Sequence, residues 1–100
     1  MLIYKQQLPN NTGIEMLKLP FDSVEEAKEN ILHLELQHET PCIWYNVKRE
    51  QQKEFMIVTI GTGHDWGDTL KREEYIGSLV VEKGLFEKSI NITSYFCKIT

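Results

Sequence analysis

The stretch that decides the fold is Ile31-Leu32-His33-Leu34-Glu35-Leu36-Gln37-His38, then Glu39-Thr40-Pro41, then Cys42-Ile43-Trp44-Tyr45-Asn46-Val47. Leu32, Leu34 and Leu36 alternate with His33, Glu35 and Gln37, the period of a strand with one dry and one wet face. The leucines are expected to point inward. Glu39-Thr40-Pro41 turns the chain, and Cys42 to Val47 is rich in residues that favour extended backbone. A β-hairpin over residues 31–47 follows.

Working outward, Phe55-Met56-Ile57-Val58-Thr59-Ile60 is an almost unbroken apolar run, too short to prefer a helix. It reads as a strand covered on both faces and as the third strand of a meander with 31–47. Upstream, Leu2 to Leu8 places Leu2, Tyr4 and Leu8 on one face. Pro9-Asn10-Asn11-Thr12-Gly13 is a strong turn signal, so Leu2–Leu8 and Ile14–Leu19 are expected to pair as a hairpin ended by Pro20. Between them and the leucine strand lies the helix signal, Asp22 to Asn30. Ser23 can cap the first amides while Glu26 reaches back, and so short a helix needs tertiary support.

Downstream, Thr69 to Glu74 is polar, holds room for a helical turn, and is long for a connection in a small domain. Tyr75 to Glu82 is a strand in which Gly77 marks a bulge or a close approach. Lys83-Gly84 is a hairpin turn. Leu85–Lys88 and Ile90–Ile99 are the last extended runs, with Ile90, Ile92 and Phe96 on one face. The sum is a mostly β chain: a compact antiparallel β-sandwich or open barrel of seven to eight short strands with at most one short helix.

One hundred residues suit a single domain spanning 1–100. Its core is thin and its sheet edges are open, and both favour a homo-oligomer. The net charge of −4, without a basic stripe, argues against nucleic-acid backbone and anionic membranes as partners. Met1 to Gln7 is too short and polar for an export signal, and no apolar run reaches the length of a membrane span. A cytoplasmic location follows as the expectation. There, Cys42 and Cys97 read as small core residues rather than a disulfide.

The chemistry-bearing residues concentrate in Gly61-Thr62-Gly63-His64-Asp65-Trp66-Gly67-Asp68, where the chain leaves its most apolar strand. Gly61 and Gly63 permit unusual backbone angles, and successive amides in such a turn can hold an anion. Thr62 offers a hydroxyl, His64 a ring that titrates near neutral pH, and Trp66 a stacking surface. Trp44 and Tyr45 point to opposite faces of their strand, so one is free to join the site. Arg72, beside Lys71, supplies a fork for phosphate. The expected ligand-binding set is therefore Gly61, Thr62, Gly63, His64, Trp66, Trp44 and Arg72. The plain alternative is a glycine-punctuated turn, since neither a dinucleotide fingerprint nor a P-loop lysine is present.

His33 and His38 fall on opposite faces of a strand, and adjacent His64 and Asp65 are poorly placed to share an ion. No metal and no cofactor are expected. Cys42, Ser78 and His64 lie in no nucleophile motif. His64 with Asp65 or Asp68 is a general acid–base pair by residue type alone.

Leu19-Pro20, Ile31 to Gln37, Pro41-Cys42-Ile43-Trp44, Phe55 to Ile60 with Gly61-Thr62-Gly63-His64, and Tyr75-Ile76-Gly77-Ser78 together resemble a family of small uncharacterised phage and prophage proteins. That family's pattern looks like "LP…ILHVQ.Q…PCLWA…F.I.GTGH…YIGT", and the likeness covers residues 2–88. Val24–Asn30, 65–74 and 91–100 look like additions to it. The resemblance implies a phage-type accessory protein that works by binding. One form is a sponge for a nucleotide-derived signal of bacterial antiviral defence. The alternatives are a protein–protein module, acting on a host protein or within the virion, and a small hydrolase using His64 and Asp65.

Overall fold

In a computed structural model of the chain, residues 1–9, 12–63, 65, 67–83 and 89–99 are described, with side chains at all of these but 68, 81–83, 89–91 and 99. Seven strands and one α-helix run in the order β1 (Ile3–Gln7), β2 (Gly13–Leu19), α1 (Val24–Asn30), β3 (Ile31–Gln37), β4 (Thr40–Asn46), β5 (Lys53–Ile60), β6 (Tyr75–Lys83) and β7 (Ser89–Ile99). Short 3-10 turns at Gly67–Thr69 and Arg72–Glu74 occupy the polar connection before β6. The strands form two antiparallel sheets, a three-stranded one ordered β1-β4-β3 and a four-stranded one ordered β2-β5-β7-β6. The β-rich, two-sheet body expected from the alternation is what forms. Leu85–Lys88 lies outside the described residues. Among the described residues no helix is long and apolar enough to cross a membrane.

The helix forms where its capping residues place it. The Ser23 hydroxyl accepts from the Glu26 amide at 3.1 Å. Glu26 reaches back one residue further than a standard capping box, accepting from the Asp22 amide at 3.4 Å. Arg49 then ties the helix start down, with ion pairs to Asp22 at 2.9 Å and to Glu26 at 2.5 Å. Ala27 is the residue α1 buries.

The β3–β4 hairpin also forms, but its turn comes earlier than the proline suggests. His38 and Glu39 both take positive φ, 50° and 66°, the twist-matching geometry of a two-residue hairpin turn, and Gln37 already faces Thr40. A bulge between Ile31 and His33 corrects the leucine pattern. The extra residue shifts the phase by one. Ile31 therefore faces Tyr45 and Leu34 faces Ile43 on the core side, while Leu32 is left 48% exposed. Leu36, at the far end of this edge strand, stays 36% exposed.

Two expected pairings do not form. β1 pairs with β4 and β2 with β5, so Leu2–Leu8 and Ile14–Leu19 sit in different sheets rather than in one hairpin. β5 likewise leaves the expected meander and lies between β2 and β7. The physical reason is common to both. β5 is apolar on both faces and is shielded best as an inner strand, so it recruits partners on each side instead of extending β3–β4. A proline-glycine turn is equally compatible with a sheet-to-sheet crossing, and buried Leu8 makes that crossing here.

The core lies between the sheets. Ile43 and Tyr45 from one sheet meet Phe55, Ile57, Leu79, Tyr95 and Cys97 from the other, with Leu8, Leu19, Phe21 and Ala27 closing it. Phe21 meets Tyr45 edge-to-face at 5.5 Å. Both cysteines are free and buried, as their strand context predicts. Gly77 fulfils both readings made for it: the β6–β7 register shifts there, and a Cβ at this position would come within 2.6 Å of Leu34 Cδ2. Here β6 packs against β3. Residues 91–99, additions by the resemblance, belong to the inner strand β7, hydrogen-bonded to β5 and β6.

Candidate functional site

The outer face of the four-stranded sheet follows from alternation. Phe55, Ile57 and Thr59 face the core, so Met56, Val58 and Ile60 face away from it. Register then builds rows across that face: Met16–Met56–Lys98, Ile14–Val58–Phe96–Tyr75, Ile60–Ser94–Ser78, and Ile92–Val80. The face is mainly apolar, with a polar seam of serines through it.

The loop after β5 rims this face. Thr62 does not hold its hydroxyl out for a ligand. It accepts from the Ile92 amide at 2.9 Å and donates to the Ile92 carbonyl at 3.3 Å, fastening the loop to β7. Gly63 and Gly67 take positive φ, 86° and 62°, and Asp65 accepts from the Gly67 amide at 2.7 Å. Thr62 and Asp65 thus use their side-chain groups within the protein.

The chain then folds back over β6. Glu74 anchors it, accepting from Lys98 Nζ at 2.9 Å on each oxygen and from the Lys71 amide at 2.9 Å. Burial pushes the Glu74 carboxyl up, but the Lys98 and Lys71 hydrogen bonds and charges outweigh it and hold the group below its ordinary value. Lys28 donates to the Glu73 carbonyl at 2.9 Å and so binds this segment to α1.

Between the folded-back segment and the sheet lies an open groove of about 500 Å³, lined by Leu70, Lys71, Arg72, Tyr75 and Phe96. Its floor is aromatic: Tyr75 and Phe96 meet edge-to-face at 5.4 Å. The Arg72 guanidinium stands 5.0 Å above the Tyr75 ring centroid. A guanidinium stacked this way keeps its N–H edge available for an anion. Beside the floor, on the same face, runs a chain of three hydroxyls. Tyr75 Oη lies 2.5 Å from Ser78 Oγ, which lies 2.7 Å from Ser94 Oγ.

Of the expected site residues that are described, Arg72 lines this groove. Gly61, Thr62 and Gly63 form the rim loop but do not line it. Trp44 is not brought to it. It alternates with core-facing Ile43 and Tyr45 on the other sheet, and stands against His33 at 5.5 Å on the opposite side of the sandwich. His64 and Trp66 lie outside the described residues. Tyr75 and Phe96 were missed as site residues. Phe96 could have been found, because Ser94, Phe96 and Lys98 alternate against Tyr95 and Cys97. Tyr75 carries no such signal, since its place depends on the fold of the preceding turn.

A second hollow, of about 550 Å³, lies beside α1 among Ser23, Glu25, Glu26, Glu29, Asn30 and Lys48. Its carboxylates repel an anion. Among the described residues no group of three or more His, Cys, Asp and Glu side chains converges as a metal site does.

A family model described as "Domain of unknown function (DUF7352)" matches residues 1–88. Leu70 to Tyr75 fall within that span and Phe96 beyond it. No curated protein and no solved structure matches the chain.

Proposed function

The chain belongs to the DUF7352 family of domains of unknown function, and we propose that it is a non-catalytic binding protein for a small anionic ligand. The observation that carries this reading is Arg72 stacked on Tyr75 over the Tyr75–Phe96 floor, with Lys71 beside it. Cations supply attraction for a negative group, and aromatic rings supply a surface for a planar one. Nucleotides combine both features. The concrete form of the proposal is a phage-type sponge, acting as a homo-oligomer in the cytoplasm of an infected bacterium, that sequesters a nucleotide-derived defence signal. Its support is the groove chemistry together with the resemblance of Pro41–Trp44, Gly61–His64 and Tyr75–Ser78 to phage proteins.

Isothermal titration against cyclic and ADP-ribose-type nucleotides tests it. The expected result is binding by at least one member, weakened at least tenfold in Arg72→Ala. Absence of heat with every member removes the proposal. Recovery of unchanged ligand separates a sponge from a hydrolase using His64 and Asp65.

One observation favours a protein partner instead. Ile14, Met16, Val80 and Ile92 are 55%, 41%, 61% and 48% exposed on the same outer face. Apolar surface of this kind marks interaction sites on small proteins. A defined partner that binds the native chain but not Val80→Glu, with no nucleotide bound by either, would shift the reading to that face.

A further inference from the structure

We infer that the groove takes its ligand through an oxyanion, a phosphate or carboxylate group, and that Tyr75, Ser78 and Ser94 form a reversible hydroxyl chain presenting Tyr75 to it as a neutral donor. The inference rests on the binding reading above and specifies the chemistry of that site.

The three hydroxyls hold three protons, and the two contacts between them use two. One proton is left at an end of the chain. If Tyr75 donates to Ser78 and Ser78 to Ser94, the free proton is on Ser94. If the chain runs the other way, it is on Tyr75. Either atom can donate in each contact and no charged partner among the described residues fixes the direction, which leaves it open to an occupant of the groove. Tyr75 lines the groove, whereas neither serine does. An oxyanion held at the available N–H edge of the stacked Arg72 guanidinium, in the plane of the Tyr75 ring rather than over its face, is the acceptor for this hydroxyl. It draws the Tyr75 proton toward itself, Ser78 turns to donate to Tyr75, and Ser94 turns to donate to Ser78. Each hydrogen bond in such a chain strengthens the next.

The arrangement distinguishes ligands. A neutral hydroxyl or amide can be met by the chain in either direction and gains little from the two cations. An oxyanion uses Arg72, Lys71 and the Tyr75 proton together. The preferred occupant therefore has a terminal phosphate or carboxylate on an apolar or planar body that fits against Phe96. Ser78 and Ser94 are positioning residues, because they act through Tyr75.

The probes are inorganic pyrophosphate, AMP, benzoate and adenosine, titrated calorimetrically into the full chain. Pyrophosphate, AMP and benzoate test the oxyanion on two kinds of group, and adenosine tests the body without it. Expected are binding of AMP at least tenfold tighter than adenosine, and a loss of about tenfold in Tyr75→Phe. Ser94→Ala, which removes a group outside the groove, should lose about threefold, and Ser94→Thr should restore it. Thermal melts of each variant show whether the fold is kept. If Tyr75→Phe does not fold, Ser94→Ala and Ser94→Thr alone decide. Adenosine binding as tightly as AMP overturns the inference. So does anion binding that Arg72→Ala weakens while Tyr75→Phe and Ser94→Ala do not, although the binding reading then stands. If none of the four probes and no nucleotide binds, both fall.

Discussion

Replacing Thr59 by valine should stabilise this protein. Thr59 lies on the core face of β5 between Gly13 and Tyr95 and is 1% exposed. Its hydroxyl is buried and has no hydrogen-bond partner among the described residues. A hydroxyl moved out of water without a partner costs about 1–3 kcal/mol. Valine keeps the branched shape that suits a strand, removes that cost and adds apolar burial. Part of the cost is recovered in any structure by small relaxations, so the expected gain is about 1–2 kcal/mol. For a domain of this size each kcal/mol raises Tm by about 4–8 °C. Guanidinium unfolding of wild type, Thr59→Val and Thr59→Ser measures it. Thr59→Ser keeps the hydroxyl and loses the methyl, and should be less stable than wild type by about 1 kcal/mol. If Thr59→Val proves less stable than wild type at an unchanged m-value, the hydroxyl is satisfied, for example by an enclosed water, and the reasoning fails.

Other outcomes follow from contacts already described. Gly77→Ala forces Leu34 off its position and should cost about 1–3 kcal/mol. In a double-mutant cycle with Leu34→Ala the two costs should be sub-additive, and strict additivity would show that the contact is not what matters. The Glu74 carboxyl is held below its ordinary value, so its contribution is present above the unfolded carboxylate range and is lost as pH falls through its lower folded value. Glu74→Gln should therefore flatten the acid limb of a stability–pH curve, and an unchanged limb would sink the assignment. Burial, reinforced by Glu74, pushes the Cys97 thiol up to about 12. In native protein at pH 8 it should resist a thiol reagent that labels it readily in denaturant, and rapid native labelling would contradict the buried position.

What could be read from the chain divides by the range of the interaction. The Ser23–Glu26 cap and the 31–47 hairpin are local, and both form close to where the residues place them. The leucine alternation was legible as a strand and in phase at Leu34, but one bulge residue moved Ile31 in and Leu32 out. Which strand pairs with which was not legible, since Pro9–Gly13 looks the same whether it reverses the chain or carries it to the other sheet. The candidate site shows the same division. Arg72 was recognisable by residue type. The groove needs Tyr75 and Phe96, brought side by side by β6–β7 register, and no short motif encodes that. Trp44 was correctly placed on the face opposite Tyr45, but nothing local tells which side of the sandwich that face looks toward.

The position of β7 has a consequence for how the chain is made. During translation β2, β5 and β6 leave the ribosome before it, yet in the sheet β7 lies between β5 and β6 and pairs with both. Until β7 arrives, the nascent chain carries the Phe55–Ile60 strand with one flank bare, an adhesive surface for any neighbouring polypeptide. The strand with the greatest need of cover is thus sealed by one synthesised well after it. Slowing or interrupting synthesis before residue 89 should send this protein to chaperones or into aggregates rather than into a smaller folded product.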